Sequence, residues 1–322
     1  MSLVSVITPT YNSSAFIIET LESIFYQHWE DIELIITDDH SSDDTVKICR
    51  GWLNNHSSRF IRTELLTTNI NTGVSGNANR GLRKASGEWI KYIGSDDALM
   101  PDCLYSNMDY IARNPEVKVL FSRIDIYHEV FMPDNYIMTT PDGELTSESI
   151  LWSQRTAESQ YRMLLLSDRI HFSPSVFINR DVLISIGGFD ERFELLEDYP
   201  LWLNLTKNGI KLHFMDNVTV KYRRHGNALN NTGESYLVDP NFLKQESFRR
   251  TYTYPHLPLI IRINQQYKWH LSQWYLWFLS KRNNHLNRAI IKILTVYFNP
   301  LTYVIWLKAH LLRRSDDIEF YS

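Results

Sequence analysis

Two cysteines, Cys49 and Cys103, are all the thiol this 322-residue chain has. They cannot build a disulfide framework, and without a Cys-x-x-Cys pair they do not build a zinc site; a reducing compartment is expected. Net charge is nearly absent too. At −4 the chain has no global field that would select nucleic acid, so no nucleic-acid partner is expected. No uninterrupted apolar run of about eighteen residues occurs, which predicts no transmembrane helix. No basic segment precedes the first apolar stretch at Leu3, so a cytoplasmic protein is expected rather than a secreted one. Glycine-rich phosphate loops are missing as well. Asn71-Thr72-Gly73-Val74-Ser75-Gly76 spaces its glycines wrongly for Gly-x-Gly-x-x-Gly, and no Walker sequence exists. Nicotinamide-dinucleotide and P-loop chemistry lose their usual support.

What is present is a globular composition, 43% hydrophobic and 22% charged, long enough for one large domain or two modest ones. Val4-Ser5-Val6-Ile7 reads as a first strand. A turn at Pro9-Thr10-Tyr11-Asn12 follows, then a helix with Ser14 as N-cap and a stripe of Phe16, Ile17, Thr20, Leu21, Ile24 and Phe25. Residues 32–36 are a second strand, apolar on both faces after Glu33, as in a parallel sheet. Asp43 or Asp44 caps a helix to about residue 53. Strands are expected at 60–66, 89–93 and 117–126, with helices at 75–85 and from Pro101 to about residue 114. Repeated β-α units mean parallel strands joined by right-handed crossovers. Residues 127–170 read as a long excursion ending in a helix at 157–166. A strand at 175–178 and a short helix at 181–186 come next, broken by Gly187-Gly188. A helix at 199–208 is closed by Gly209, and strands follow at 211–214 and 218–222. After Asp239 the pattern is helical, at 242–252, 260–279 and 286–312.

Acidic pairs carry the chemistry: Asp38-Asp39, Asp96-Asp97 and Glu197-Asp198. The first two end apolar strands. An open α/β sheet binds ligands outside the carboxyl ends of its strands, and carboxylates placed there can hold a hard divalent cation that grips a diphosphate. One Asp-Asp pair alone equally suits a turn or a helix N-cap. Here further pieces come in order. They are Val6-Ile7-Thr8-Pro9-Thr10-Tyr11-Asn12, then Thr37-Asp38-Asp39-His40-Ser41-Ser42-Asp43-Asp44-Thr45, then Asn71-x-Gly73-x-x-x-Asn77-Ala78-Asn79-x-Gly81 and Ala85-Ser86-Gly87-Glu88. After Asp96-Asp97 come Gly187-Gly188-Phe189-Asp190-Glu191, Glu197-Asp198-Tyr199-x-Leu201-Trp202 and Tyr222-Arg223-Arg224-His225. Over about residues 3–230 the chain resembles a family 2 glycosyltransferase of the GT-A fold, of the bacterial surface-polysaccharide type.

The resemblance implies an α/β fold: a single GT-A nucleotide-binding domain over 1–238, with a mainly parallel central sheet. Its nucleotide-sugar half would be about 1–126 and its acceptor half about 127–238, followed by a helical C-terminal extension over 239–322. It implies metal-dependent, inverting transfer from a nucleotide-diphosphate sugar, of UDP type, to a saccharide or lipid-linked saccharide. Thr8, Pro9, Tyr11, Asp39, Asn71 and Asp96 would bind the nucleotide: Tyr11 by stacking on the base, Asp39 by accepting its imide N–H. Asp97 and His225 would hold Mn²⁺ or Mg²⁺, an imidazole among carboxylates leaning towards manganese. Asp198 would take the proton of the acceptor hydroxyl as it attacks the anomeric carbon opposite the leaving nucleotide. Arg223, Arg224 and Glu197 would serve the diphosphate or acceptor side. The family's longer motif is Asp-x-Asp-Asp; Gly94 stands at its first position here, leaving one carboxylate fewer. Each residue also has a plain structural reading: a turn tyrosine, a helix cap, a loop histidine, a helix-start carboxylate or a solvated arginine.

The C-terminal third matches no motif. Tyr267, Trp269, Trp274, Trp277 and Phe278 lie among Lys268, Lys281 and Arg282, and Trp306 precedes Lys308, Arg313 and Arg314. Aromatic faces flanked by basic residues suit a membrane interface, as on the inner face of the plasma membrane. A packed helical cap or a homodimer face suits them equally. Two other functions remain as competitors, a sugar-nucleotide nucleotidyltransferase and a catalytically inactive sugar-nucleotide-binding scaffold. The first wants a Gly-rich basic loop after the first strand, which Thr8-Pro9-Thr10-Tyr11-Asn12 is not.

Overall fold

The computed structural model describes residues 2–193, 197–226, 245–278 and 285–311. It divides into two compact units, residues 1–160 with 169–231, and residues 161–168 with 232–322.

The first unit is built on nine strands: β1 (Val4–Thr10), β2 (Ile32–Asp38), β3 (Arg62–Thr67), β4 (Trp89–Tyr92), β5 (Ala98–Leu99), β6 (Val119–His128), β7 (Tyr136–Thr140), β8 (Phe177–Asn179) and β9 (Leu212–Arg224). The sheet order is β3-β2-β1-β4-β8-β6-β9-β5, with β7 on β6. β3, β2, β1 and β4 run parallel, and so do β6 and β9. The unit's described helices are α1 (Ile17–Phe25), α2 (Thr45–His56), α3 (Gly73–Leu82), α4 (Cys103–Arg113), α6 (Arg180–Ser185) and α7 (Asp198–Lys207), and α5 (Ala157–Leu166) begins in it and continues into the second unit.

The sequence explains this half of the sheet directly. All seven residues of β2 are buried, which its apolar run requires of a strand covered on both faces. The crossovers α1, α2 and α3 then set parallel register: Thr10 pairs with Asp38 and Ile7 with Tyr92. The carboxyl ends of β1, β2 and β4 therefore arrive at one edge, with the Tyr11 loop, Asp38-Asp39 and the turn after Tyr92.

Elsewhere the structure differs from the sequence reading. β8 is antiparallel to both β4 and β6, because it returns from the 127–170 excursion rather than from a β-α crossover. The two expected strands at 211–214 and 218–222 are one. Pairing with β6 slips between Ser122 and Arg123, so exposed Asp216 and Asn217 bulge out of a continuous strand. Ser14 caps nothing; Phe16 takes that position in α1, and the Ser14 N–H donates to Asp43 at 3.1 Å. Asp43 also accepts from the Thr45 N–H at 3.0 Å. Partial burial pushes its proton affinity up, but these donors prevail and hold its carboxyl down at about 2.

The second unit contains α8 (Glu246–Tyr252), α9 (Leu259–Phe278), α10 (His285–Lys292), a π-helical turn (Ile293–Tyr297) and α11 (Pro300–Leu311). The helix expected over 286–312 breaks before Pro300, where Asn299 is buried. Its amide donates to Asn264 Oδ1 at 2.6 Å and its Oδ1 accepts the Leu301 N–H at 3.1 Å, which ties α9 to the start of α11. Residues 242–244, 279 and 312 of the expected helices lie outside the described residues, as do Lys281, Arg282, Arg313 and Arg314.

Candidate active site

β4 stops at Tyr92, and the Ile93 N–H still bonds β1 through Ile7 at 3.1 Å. The chain then turns through Gly94-Ser95-Asp96-Asp97. Gly94 leaves room for both carboxylates: a Cβ would lie 2.9 Å from Asp96 Oδ1 and 3.4 Å from Asp97 Oδ2. Both carboxylates thus lean over the same backbone atom. Asp97 is 3% exposed, and its Oδ1 accepts the Arg223 N–H at 2.9 Å. Thr20 donates to the Asp97 carbonyl at 2.6 Å. Ser13 Oγ lies 2.6 Å from Ser95 Oγ and donates to the Tyr11 carbonyl at 3.1 Å, which binds the Tyr11 loop to the acidic turn. His225 Nε2 is 3.1 Å from Asp96 Oδ2, and its ring packs on Phe16 with centroids 4.5 Å apart.

Burial raises the proton affinity of Asp97 well above the carboxylate range, and the charge of Asp96 adds to it. The Arg223 N–H and the charges of Arg223 and Lys91 oppose this. Lys91 is itself fully buried in β4, donating to the Pro174 carbonyl at 2.6 Å, and desolvation lowers it to about 8. Two crowded carboxylate oxygens are what a hard divalent cation neutralises. Asp96 and Asp97 carry oxygens of the kind such an ion takes, and His225 lies beside Asp96, though the three are not arranged as a ready three-ligand site. No group of three His, Cys, Asp or Glu arranged to hold a metal by itself occurs among the described residues.

Arg223 is buried, where a diphosphate ligand would be open. Its side chain is 2% exposed and each guanidinium nitrogen has a partner. It donates to the Asp96 carbonyl at 2.8 Å, to the Glu129 carbonyl and to the Glu19 carboxylate, and it lies 3.9 Å from the Phe131 ring centroid. It clamps the acidic turn, α1 and the β6–β7 loop together, and its burial keeps it from serving as an open diphosphate ligand. Arg224, next on the strand, is exposed. Glu19, Thr20 and Ser13 support the turn, a role that the sequence did not give them. Glu19 lies 204 residues from Arg223, and nothing local announces that pairing.

Asp39 is likewise occupied. It accepts from the N–H groups of Thr72 and Gly73 at 2.9 and 2.8 Å, from Thr72 Oγ1 at 2.7 Å and from Arg80 at 3.1 Å. It caps the start of α3, where a carboxylate meets the helix dipole. With four donors on two oxygens, it takes a base imide only by giving one up. Thr8 is fully buried inside β1 and Pro9 half-buried beside it, so neither side chain forms the strand's exposed end. Tyr11 does, at 49% exposed, with a ring available for stacking. Asn71 is exposed, accepting the Gly73 N–H at 3.0 Å.

Across α3, Asn79 grips the Gly187-Gly188-Phe189 loop. Its amide donates to the Phe189 carbonyl at 2.8 Å and its Oδ1 accepts the Phe189 N–H at 2.9 Å. Gly188 has φ +74°, and a Cβ there would sit 2.5 Å from Asn79 Oδ1, so only glycine fits. Glu197 takes the N-cap position of α7 and Asp198 is its first residue; both are half-buried. Asp198 thus lies at the positive end of the helix dipole. Nearer the excursion, a cavity of about 330 Å³ is lined by Asp142, Glu148, Arg169 and His171 among others.

Comparison with known proteins bears on the fold and the family. Residues 5–187 match the family model for glycosyl transferase family 2. A UDP-Glc:α-D-GlcNAc-diphosphoundecaprenol β-1,3-glucosyltransferase of Escherichia coli, WfaP, is 29% identical over 246 residues, 76% of this chain and 86% of that enzyme. An uncharacterized glycosyltransferase of Haemophilus influenzae is 25% identical over 63% of this chain and 62% of its own length. Among solved structures, S. aureus TarS 1–349 in complex with UDP-GlcNAc superposes with TM-score 0.59 at 18% identity, covering 99% of this chain and 89% of that one. A Pyrobaculum calidifontis mannosyltransferase in complex with GDP-Man and Mn²⁺ gives 0.55 at 17% identity, over 99% and 84%. The fold is of GT-A type, with helices following it, and the chain belongs to glycosyltransferase family 2.

Proposed function

We propose that the protein transfers a sugar, with inversion, from a UDP-sugar to a lipid-linked saccharide during surface-polysaccharide assembly. One observation carries this reading: the carboxylates of Asp96 and Asp97 converge over Gly94, at the carboxyl edge of parallel strands, with His225 on Asp96 and the Tyr11 loop bonded to the same turn. Tyr11 offers a face to the base. Asp97, Asp96 and His225 would hold Mn²⁺ or Mg²⁺, and a bound cation supplies neutralisation of the charge that grows on the departing diphosphate. Asp198 takes the proton from the acceptor hydroxyl as that oxygen attacks the anomeric carbon. Arg223 keeps the acidic turn in place. The cavity beside residues 140–150 belongs to the excursion, where acceptor choice is expected to lie. The UDP donor and lipid-diphosphate acceptor are supported by the E. coli relative, whose name gives both.

Thermal stabilisation and turnover test this together. The melting temperature should rise with UDP plus Mn²⁺ in wild type, because a ligand that binds only the native state stabilises it, and should not rise in Asp97→Asn. Asp198→Asn should keep that rise and lose turnover by about a thousandfold, within the range positioned bases contribute. Lack of any nucleotide-dependent shift in wild type would sink the donor assignment, and full turnover in Asp198→Asn would remove it as the base.

A further inference from the structure

Residues 247–315 contain eleven Lys and Arg and not one Asp or Glu, in a chain where 37 acidic residues outnumber 33 basic ones. The protein's negative charge is therefore held entirely outside this stretch. Helix α9 lies within it and carries two apolar faces. Ile261 and Tyr275 are buried on one, beside Asn264 and Ser272. Leu259, Ile263, Trp274, Trp277 and Phe278 are exposed, Trp277 at 79%. At about 100° per residue the exposed five fall within roughly a third of the circumference, opposite the buried set. Large aromatics gathered on one solvent-facing stripe mark a contact surface rather than a scattering of surface residues. The pattern continues past α9: Leu286, Phe298 and Trp306 are 69%, 71% and 59% exposed, with Arg288 and Lys292 exposed between them. Among the described residues no single helix is long and apolar enough to cross a membrane. The segments His285–Thr295 and Pro300–Leu307 would together have the length, but they bend by 56° at the break.

We propose that α9 and the bent pair that follows form an in-plane anchor on an anionic lipid surface. The exposed tryptophans and phenylalanines enter the interfacial layer, and Arg288 and Lys292, exposed between them, meet the headgroups. A helix with aromatics on one face and only basic charge beside it is what such a layer binds. The charge also argues against a second copy as the occupant, since two surfaces lacking any carboxylate would face each other with like charge. The proposal rests on the lipid-linked acceptor reading for its purpose, though not for its evidence.

Flotation of the full chain tests it, with vesicles of phosphatidylcholine alone and of phosphatidylcholine mixed with phosphatidylglycerol. Binding to the anionic vesicles is expected, at least about tenfold weaker to neutral ones, and reversed by salt. Trp277→Ser with Phe278→Ser should abolish flotation. Arg288→Gln with Lys292→Gln should weaken it by about fivefold per charge. UDP–Mn²⁺ stabilisation is read in every variant. Its presence in a variant that no longer floats confirms an intact fold and separates anchor from donor site, and its absence from wild type would sink the donor assignment while leaving the flotation result standing. No flotation with either vesicle overturns the anchor. So do flotation that survives alkaline carbonate, which means a span, and a solution dimer that Trp277→Ser with Phe278→Ser dissolves, which means a second copy covers the face.

Discussion

Gly94 lies beneath two carboxylate oxygens, so the shortened acidic motif still brings two carboxylates together. The room a first carboxylate would occupy is taken by Asp96 and Asp97, both within 3.4 Å of the absent Cβ. A methyl group there must push the Asp96 side chain, which His225 contacts, while Asp97 stays at ordinary contact distance. That movement is easy, because Asp96 is about a third exposed. Gly94→Ala should therefore leave the melting temperature within a few degrees of wild type, as a shift of one flexible side chain costs little. It should weaken cation-dependent UDP binding by about tenfold, the equivalent of losing one good ligand contact. Equal affinity in titration calorimetry would mean that the two carboxylates do not act from this position. The acidic pair itself was legible in sequence, as a strand-end motif. The adjacent arginines were legible only as a pair. Strand alternation sends one side chain in and the next out, but which of Arg223 and Arg224 points inward depends on Glu19 and Phe131, and neither is near in sequence.

At the level of elements, Glu33 shows how the sheet that presents the site is fastened. It is fully buried in β2 and accepts from Ser5 of β1 at 2.6 Å and from the N–H and hydroxyl of Ser86 at 2.9 and 2.6 Å. Arg62 of β3 lies 3.4 Å away. Gly87 donates to Ser5 Oγ, and a Cβ on Gly87 would sit 2.6 Å from the Ser5 nitrogen. The Ala85-Ser86-Gly87-Glu88 motif thus ties the start of β4 to β1 and β2, rather than touching substrate. Burial pushes the Glu33 carboxyl up, yet the Ser5 and Ser86 bonds prevail and leave it below its ordinary 4.5. A lowered native value means that Glu33 stabilises the fold above the unfolded value and ceases to as pH falls through the native one. Glu33→Gln should cost about 2 kcal/mol at neutral pH, the scale of hydrogen bonds to a charged acceptor. The difference from wild type should shrink as pH drops below about 4.5, where wild type loses the same charge. Urea unfolding at several pH values checks this, and a constant gap at all pH values would show that Glu33 acts by packing alone. The β-α units of this half were readable from hydrophobic period. The reversed β8, the two-residue β5 and the bulge that fuses 211–214 with 218–222 were not, since each is set by pairing across the sheet.

For the whole molecule, the sequence divides by charge more sharply than by hydropathy. Among the described residues no single helix is long and apolar enough to cross a membrane, and the overall net charge of −4 conceals a long stretch free of acid. Aromatic faces there were visible from sequence, but their exposure depends on which side of α9 packs inward, and only the structure fixes that. A surface-bound enzyme whose acceptor shares the surface gains effective concentration without any new contact at the acceptor. The gain vanishes for an acceptor free in solution. Wild type and the Trp277→Ser, Phe278→Ser double variant should therefore turn over a short water-soluble acceptor analogue at the same rate. On a lipid-diphosphate acceptor embedded in anionic vesicles, the variant should fall by about tenfold or more in kcat/KM, mostly through KM, since the reacting groups are unchanged. A loss of equal size on both acceptors would place Trp277 and Phe278 in the catalytic unit's own stability. No loss on either would mean that the acceptor is reached from solution and that the basic, aromatic stretch serves something other than delivery of the enzyme to its substrate.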